Sequence, residues 1–185
     1  MKEQTGPIFY ITGVPGSGKS SVATALMRRF PFGMHLPIDD MREFVVSGIV
    51  PPFPWTEEVS RQFALAREAS AQTARLYADA GFAVALDDVI FPHEVHELCT
   101  RLLAGKTIHK IFLQPTLDTV LTRNASRTNK DFDTTVLIEV IHSLHPSIAA
   151  QPFAEAGWIV IDSTELSLEQ TVETILQRIG LEQGY

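Results

Sequence analysis

Short apolar runs alternate along this chain with longer segments whose apolar residues recur three or four positions apart. The runs Ile8-Phe9-Tyr10-Ile11-Thr12, His35-Leu36-Pro37-Ile38-Asp39, Phe82 to Asp87, Ile108 to Leu113 and Trp158 to Asp162 predict five strands. The third is apolar without alternation, which predicts burial on both faces. Between the runs, Val22, Leu26 and Phe30 fall at helical spacing, with Pro31 and Gly33 ending that helix. Val59, Phe63 and Ala66 mark the buried side of a long helix that Thr56 caps, with Glu57 and Glu58 in its first turn. It is expected to run to about Ala80 and stop at Gly81, with Arg61, Arg67 and Arg75 on a solvated face. Leu117, Val120 and Leu121 predict a helix from Thr116, and Asp133 to Leu144 predicts another, stopped by Pro146. Ser167 is placed to cap a closing helix whose Leu168, Val172, Ile175 and Ile179 face the sheet. Strand alternating with helix is the pattern of an α/β protein.

The connection Ser47 to Trp55, Ser-Gly-Ile-Val-Pro-Pro-Phe-Pro-Trp, is too rich in proline for helix or central strand. Its Phe53 and Trp55 either pack on the core or line a pocket.

Composition narrows the class. The chain has 185 residues and is 45% hydrophobic, enough for one well-buried core, so a single domain over residues 1–185 is expected. The one cysteine, Cys99, rules out an internal disulfide and a multi-cysteine zinc site, and it sits among leucines as a core residue would. Met1 to Pro7 lacks the apolar stretch of a signal peptide, and no run approaches the roughly 20 apolar residues of a membrane helix, so a cytoplasmic location and no membrane partner are expected. A net charge of −7 argues against a broad nucleic-acid footprint, although not against a narrow basic groove.

The candidate chemistry begins at Gly13-Val14-Pro15-Gly16-Ser17-Gly18-Lys19-Ser20, which fits G-x-x-x-x-G-K-[ST] at every fixed position, between a strand and a helix. Glycines let backbone N–H groups curl around a phosphate where a Cβ would block them, and the helix start adds its dipole. Gly13, Pro15, Gly16, Ser17, Gly18, Lys19, Ser20 and Ser21 are therefore candidate nucleotide contacts, with ATP and Mg²⁺ as the implied cofactors. Lys19 is expected to reach the β- and γ-phosphates and Ser20 to ligate Mg²⁺.

Three further places carry chemistry. Asp39 and Asp40 end the second strand; Asp40 and Glu43 have the spacing of a capping box, which leaves Asp39 free to accept a proton from an attacking hydroxyl. Asp87 and Asp88 end the third strand beside the loop, where an acid supports Mg²⁺ or its water; Asp87 is the candidate metal residue and Asp88 a candidate substrate contact, the choice between them being open. The polar run Arg123 to Lys130 is placed to close over a nucleotide and neutralise charge on the transferred group. His93, His96 and Glu97 have a spacing compatible with metal binding but equally that of an exposed helix face, and no further ligand is evident; His142 and His145 read the same way.

With the loop after the first strand, a helical insert at about 41–80 and an arginine lid at about 123–133, the chain resembles the P-loop kinase superfamily over nearly its whole length. The resemblance implies a three-layer α/β/α sandwich with a five-stranded parallel sheet, the P-loop NTPase fold in its nucleoside-kinase-like form. Arg123 and Arg127 match the spacing of the lid arginines of adenylate kinase and its relatives. By that likeness Arg123 meets adenine or phosphate, Arg127 meets the phosphates in a catalytic role, and Thr164 in Ser163-Thr164-Glu165 borders the adenine. More narrowly, the loop, Asp39-Asp40-Met41-Arg42 and the Arg123 to Lys130 lid resemble the branch holding chloramphenicol phosphotransferase, zeta toxins and the 5′-kinase domain of phage polynucleotide kinase. That branch implies Asp39 as catalytic base and Arg42 as a substrate-side cation; Trp55 is a candidate substrate contact as a pocket-lining residue of the proline-rich connection. The expected activity is transfer of the γ-phosphate of Mg·ATP to a hydroxyl of a small molecule. A 5′-hydroxyl polynucleotide kinase and a nucleotide-dependent switch without an acceptor are the alternatives.

Overall fold

The computed structural model describes residues 5–126 and 134–181. Five strands, β1 (Ile8–Thr12), β2 (Gly33–Pro37), β3 (Ala83–Asp88), β4 (Ile108–Leu113) and β5 (Ile159–Ile161), form one parallel sheet in the order β2-β3-β1-β4-β5. The helices are α1 (Lys19–Met27), α2 (Ile38–Glu43), α3 (Glu57–Asp79), α4 (Pro92–Leu102), α5 (Leu117–Ala125), α6 (Ile138–Ala149), preceded by a 3-10 turn at Thr134–Leu137, and α7 (Leu168–Arg178). None of them, among the described residues, is long and apolar enough to cross a membrane.

The period-2 geometry of a strand sorts the core into two layers. Phe9 and Ile11 of β1, Ala83 and Ala85 of β3 and Ile111 and Leu113 of β4 pack with Val22 and Leu26 of α1 and Val172 and Ile175 of α7. Ile8, Tyr10, Val84, Leu86 and Phe112 point the other way, into a larger cluster with Val59, Phe63 and Ala74 of α3, Val95 of α4 and Ile141 and Ile148 of α6. Sheet strands buried on both faces favour unbroken apolar runs, and all residues of β1 and β3 are buried, apolar up to the polar ends Thr12 and Asp87-Asp88. This is the three-layer α/β/α sandwich.

Two boundaries and the burial of one side chain differ from the sequence-based expectation. The second strand ends at Pro37, and α2 begins at Ile38 with Pro37 as its N-cap residue, so Asp40 is not an N-cap and the Asp40/Glu43 capping box does not form. Both Asp39 and Asp40 lie in the first turn of α2, where the helix dipole favours carboxylates. Pro146 does not stop α6, which continues to Ala149. The helix gives up the N–H bond that Pro146 lacks, but Ile141 and Ile148, two turns apart on one face, are both buried and hold the segment helical across it. The third difference is Arg67, which its charge assigned to a solvated face: its side chain is only 12% exposed. Thr56 does cap α3, its hydroxyl accepting from the Val59 N–H at 3.2 Å, and Gly81 follows the helix with φ 87°.

The registers Thr12↔Asp88 and Pro37↔Asp87 bring the ends of β1, β2 and β3 level at one sheet edge. The close fit of α1 beside β2 depends on Gly33, whose missing Cβ would lie 2.2 Å from the Met27 carbonyl oxygen at the end of α1. Gly33→Ala is expected to lower stability by about 1–3 kcal/mol, read as a lower urea midpoint with an unchanged denaturant slope.

Candidate active site

Thr12, the last residue of β1, exchanges two hydrogen bonds with Ile90: its hydroxyl donates to the Ile90 carbonyl at 3.0 Å and accepts from the Ile90 N–H at 3.1 Å. The phosphate loop is thereby tied to the exit of β3. Gly16 has φ 86°, and a Cβ there would meet the Val120 carbonyl at 2.7 Å, so the loop packs backbone to backbone on α5. Gly18 has φ 95° and open space where its Cβ would stand, which leaves the N-terminus of α1 bare on that side. A cavity of about 340 Å³ opens there, lined by loop residues from Gly16 to Ser21, by Arg123, and by Ser163, Leu166 and Leu168 beyond β5. Its chemistry is graded: backbone N–H groups and Lys19 at the helix end, apolar side chains at the far end. Lys19 Nζ donates to the carbonyls of Gly13 at 2.8 Å and Val14 at 3.1 Å. The buried hydroxyls of Ser17 and Ser163, both at the cavity wall, have no hydrogen-bond partner among the described residues. A buried polar group without a partner costs about 1–3 kcal/mol, which a polar ligand in the cavity can offset.

Ser20 and Asp87 meet at the inner rim of the loop. Ser20 Oγ donates to Asp87 Oδ1 at 3.4 Å, and the other carboxylate oxygen, Oδ2, is 2.5 Å from His35 Nε2. His35 Nδ1 in turn faces the Thr24 hydroxyl at 3.1 Å. Sequence reading singled out neither His35 nor Thr24.

Asp88 is held from several directions. Arg67 donates from Nε to its Oδ2 at 2.7 Å and from Nη1 to Glu94 Oε1 at 2.9 Å, the Val89 N–H donates to Oδ1 at 2.7 Å, and Tyr10 donates to Oδ2 at 3.4 Å. Glu94 also accepts from the Phe91 N–H at 3.0 Å, which fixes the start of α4. Burial pushes the Asp88 carboxyl up from its ordinary range despite Arg67, and the negative charge of Asp39 pushes it the same way. The Arg67 guanidinium loses solvation too, but Asp88 and Glu94 outweigh that loss and hold it charged. Tyr10 is raised well above its usual value by burial and by Asp88. Asp39 itself is exposed, in the first turn of α2, two residues past the Pro37 that pairs with Asp87 at the same edge.

Arg42 is 7% exposed and donates from Nη1 to the Val50 carbonyl at 2.8 Å and to Gln62 Oε1 at 3.3 Å, with its guanidinium 4.8 Å from the Phe63 ring centre. It ties the proline-rich connection to α3. Trp55, 55% exposed, stacks against Phe63 at 5.4 Å and donates to Ser60 at 2.7 Å. Arg123 donates from Nη2 to the Ser163 carbonyl at 2.8 Å, linking α5 to the cavity wall. Thr164 lies next to that wall; its hydroxyl donates to Asp162 Oδ1 and accepts from the Thr116 N–H at 2.9 Å. Arg127 and the rest of the proposed lid through Asp133 lie outside the described residues.

Thus Gly16 to Ser21, Arg123 and Ser163 surround one cavity, and Asp39, Asp87 and Asp88 gather at the sheet edge beside Ser20. Arg67 carried a signal that sequence reading passed over: it is four residues after Phe63 and four before Ala71, on the apolar stripe of α3.

A family profile described as an AAA domain matches residues 8–149. No curated protein sequence matches the chain. Among solved structures, the tunicamycin resistance protein of Deinococcus radiodurans is similar over 95% of this chain and 96% of its own, with 21% identity and a TM-score of 0.62. Shikimate kinase from Bacteroides thetaiotaomicron is similar over 95% of this chain and 99% of its own, with 16% identity and a TM-score of 0.65. APS kinase of Mycobacterium tuberculosis, solved with AMPPNP and APS, is similar over 95% of this chain and 98% of its own, with 18% identity and a TM-score of 0.60. These likenesses show the fold: the sandwich is that of the P-loop kinases.

Removing the cation from beneath a buried carboxylate is expected to be costly. Arg67→Met should lose about 3–5 kcal/mol of stability in urea unfolding, and adding Asp88→Asn to it should recover most of the loss.

Proposed function

We propose a reaction for this chain from the premise that it belongs to the AAA domain family: transfer of the γ-phosphate of Mg·ATP to a hydroxyl of a small molecule. The observation that carries the proposal is the cavity at Gly16 to Ser21, whose Ser20 donates to Asp87 in β3, with Asp39 in the first turn of α2 at the same sheet edge.

In this reading the triphosphate lies along the loop, its oxygens receiving the bare N–H groups of α1, and Lys19 exchanges the carbonyls of Gly13 and Val14 for β- and γ-phosphate oxygens. Ser17 and Ser163 supply hydroxyls that the fold leaves unpaired. The base sits toward Leu166 and Leu168, with Arg123 and Thr164 at its border. The hydroxyl of Ser20 and the carboxylate of Asp87 are hard oxygen donors that suit Mg²⁺ and would hold it, directly or through water. Bound there, the ion would neutralise charge between the β- and γ-phosphates. Asp39, exposed at the first turn of α2, takes the proton of the acceptor hydroxyl. Asp88, engaged by Arg67, shapes the acceptor side. Arg127 would close over the phosphates and exclude water, without which hydrolysis competes with transfer.

Two observations favour a small neutral acceptor over a nucleic-acid strand. Arg42 and Arg67, the cations that reach the insert's loop and the end of β3, are spent on Val50, Gln62, Asp88 and Glu94. The insert instead presents apolar surface, with Phe44 75%, Phe53 41% and Trp55 55% exposed. Arg42 supports the insert in this reading and orients Trp55 through Phe63, with no direct bond to a phosphate.

With γ-labelled ATP and Mg²⁺, label is expected in a fractionated pool of small metabolites and not on a 5′-hydroxyl oligonucleotide. Asp39→Asn should slow the transfer by about 10²–10⁴-fold while leaving nucleotide binding intact, and Lys19→Ala should abolish it. Label on the oligonucleotide would establish the polynucleotide reading, and label in neither fraction would favour the switch.

A further inference from the structure

The contact between His35 and Asp87 joins the edge strand β2 to the acid that the proposed function places at the metal. His35 has 17% of its side chain exposed and Asp87 7%, and no step of the transfer described above uses the imidazole. We propose that His35 is a positioning residue: it captures Asp87 Oδ2, so that Asp87 Oδ1 alone is presented toward Ser20 and the metal–nucleotide. The inference rests on the reading of Ser20 and Asp87 as the metal side of a nucleotide site.

The hydrogen-bonding capacities of the three groups set the direction of the chain. An ionised carboxylate only accepts, so the 2.5 Å contact requires the proton on His35 Nε2. In the neutral ring Nδ1 is then an acceptor, and the group facing it at 3.1 Å is the Thr24 hydroxyl, which can donate. Thr24 thus holds the ring nitrogen opposite the carboxylate and fixes the plane of the imidazole, as partners beyond a metal's own ligands commonly do. Thr24 and Ser20 are four residues apart in α1, on one face of the helix. The Asp87 carboxylate is gripped from that single face at both oxygens: directly by Ser20 at 3.4 Å, and by Thr24 through the imidazole. Rotation of the carboxylate about its own axis would break one grip or the other. A contact serving only to fasten β2 to β3 would need neither the Thr24 hydroxyl nor an Oδ1 turned toward Ser20.

The test measures binding on the whole protein, independent of turnover. Isothermal titration gives the affinity for AMPPNP with and without Mg²⁺, and Mn²⁺ titration at saturating AMPPNP, followed by the loss of its free-ion paramagnetic signal, gives the metal affinity. His35→Leu is expected to weaken the metal about 10–100-fold while metal-free AMPPNP affinity stays within about twofold. His35→Gln, whose amide N–H falls near the position of Nε2, should restore most of the metal affinity, and Thr24→Val should weaken it by an intermediate factor. Should His35→Leu not fold, the Thr24→Val and His35→Gln pair carries the same comparison. Metal affinity unchanged in His35→Leu or Thr24→Val would overturn the inference, as would equal loss in His35→Gln and His35→Leu. A wild-type protein that binds AMPPNP with no metal dependence would overturn the underlying reading of Ser20 and Asp87 together with it.

Discussion

Carboxylates crowded at one edge of a buried sheet must be neutralised or gripped, and the arrangement around that edge follows from how this is done. The registers that level the ends of β1, β2 and β3 bring Asp87 and Asp88 to within reach of Asp39, beside a loop shaped to hold an anion. Each acid meets the constraint differently. Asp88 is buried and takes a full counter-charge, Arg67, at the cost of burying an arginine in the middle of α3. Asp87 is met by His35 and the Ser20 hydroxyl, with no arginine or lysine among its partners in the described residues. Asp39 stays in water at the start of α2, unpaired by any cation among the described residues and available to a proton.

This division couples the insert to the chemistry. Arg67 on α3 reaches both the end of β3 and Glu94 on α4, and Phe63, one turn earlier, packs against both Arg42 and Trp55. In the proposed reading the acceptor-side surface is therefore built on the same side chains that neutralise Asp88. A change in the insert's loop can alter what it recognises while the ion pairs beneath keep the acids in place, in line with the general rule that function resides in sites carried by a shared fold.

Much of this was legible in the sequence wherever the cause was local. The phosphate loop is specified by glycine backbone freedom and the strand and helix beside it, and Thr56 and Ser167 cap α3 and α7 through groups three residues away. Burial of β1 and β3 on both faces follows from their unbroken apolar runs. What local pattern missed depends on tertiary partners. Pro146 reads as a helix stop, yet Ile141 and Ile148 are buried on either side of it. The spacing of Asp40 and Glu43 suits a capping box, yet Pro37 occupies the cap because β2 ends earlier than its apolar residues suggest. Arg67 was assigned to solvent by its charge although its position on the helix wheel was apolar, and its partner lies 21 residues away on β3. His35 could not be read at all without the strand order, since only the pairing of β2 with β3 sets it against Asp87.

The most direct test of the account is a crystal structure of the full chain with AMPPNP and Mg²⁺. The account predicts the phosphates along Gly13 to Ser20 with Lys19 on the β- and γ-phosphates, the base against Leu166 and Leu168, and the metal between the phosphates and the Ser20 and Asp87 side chains. A nucleotide bound away from this loop, or a metal held by other residues with Asp87 facing elsewhere, would contradict it.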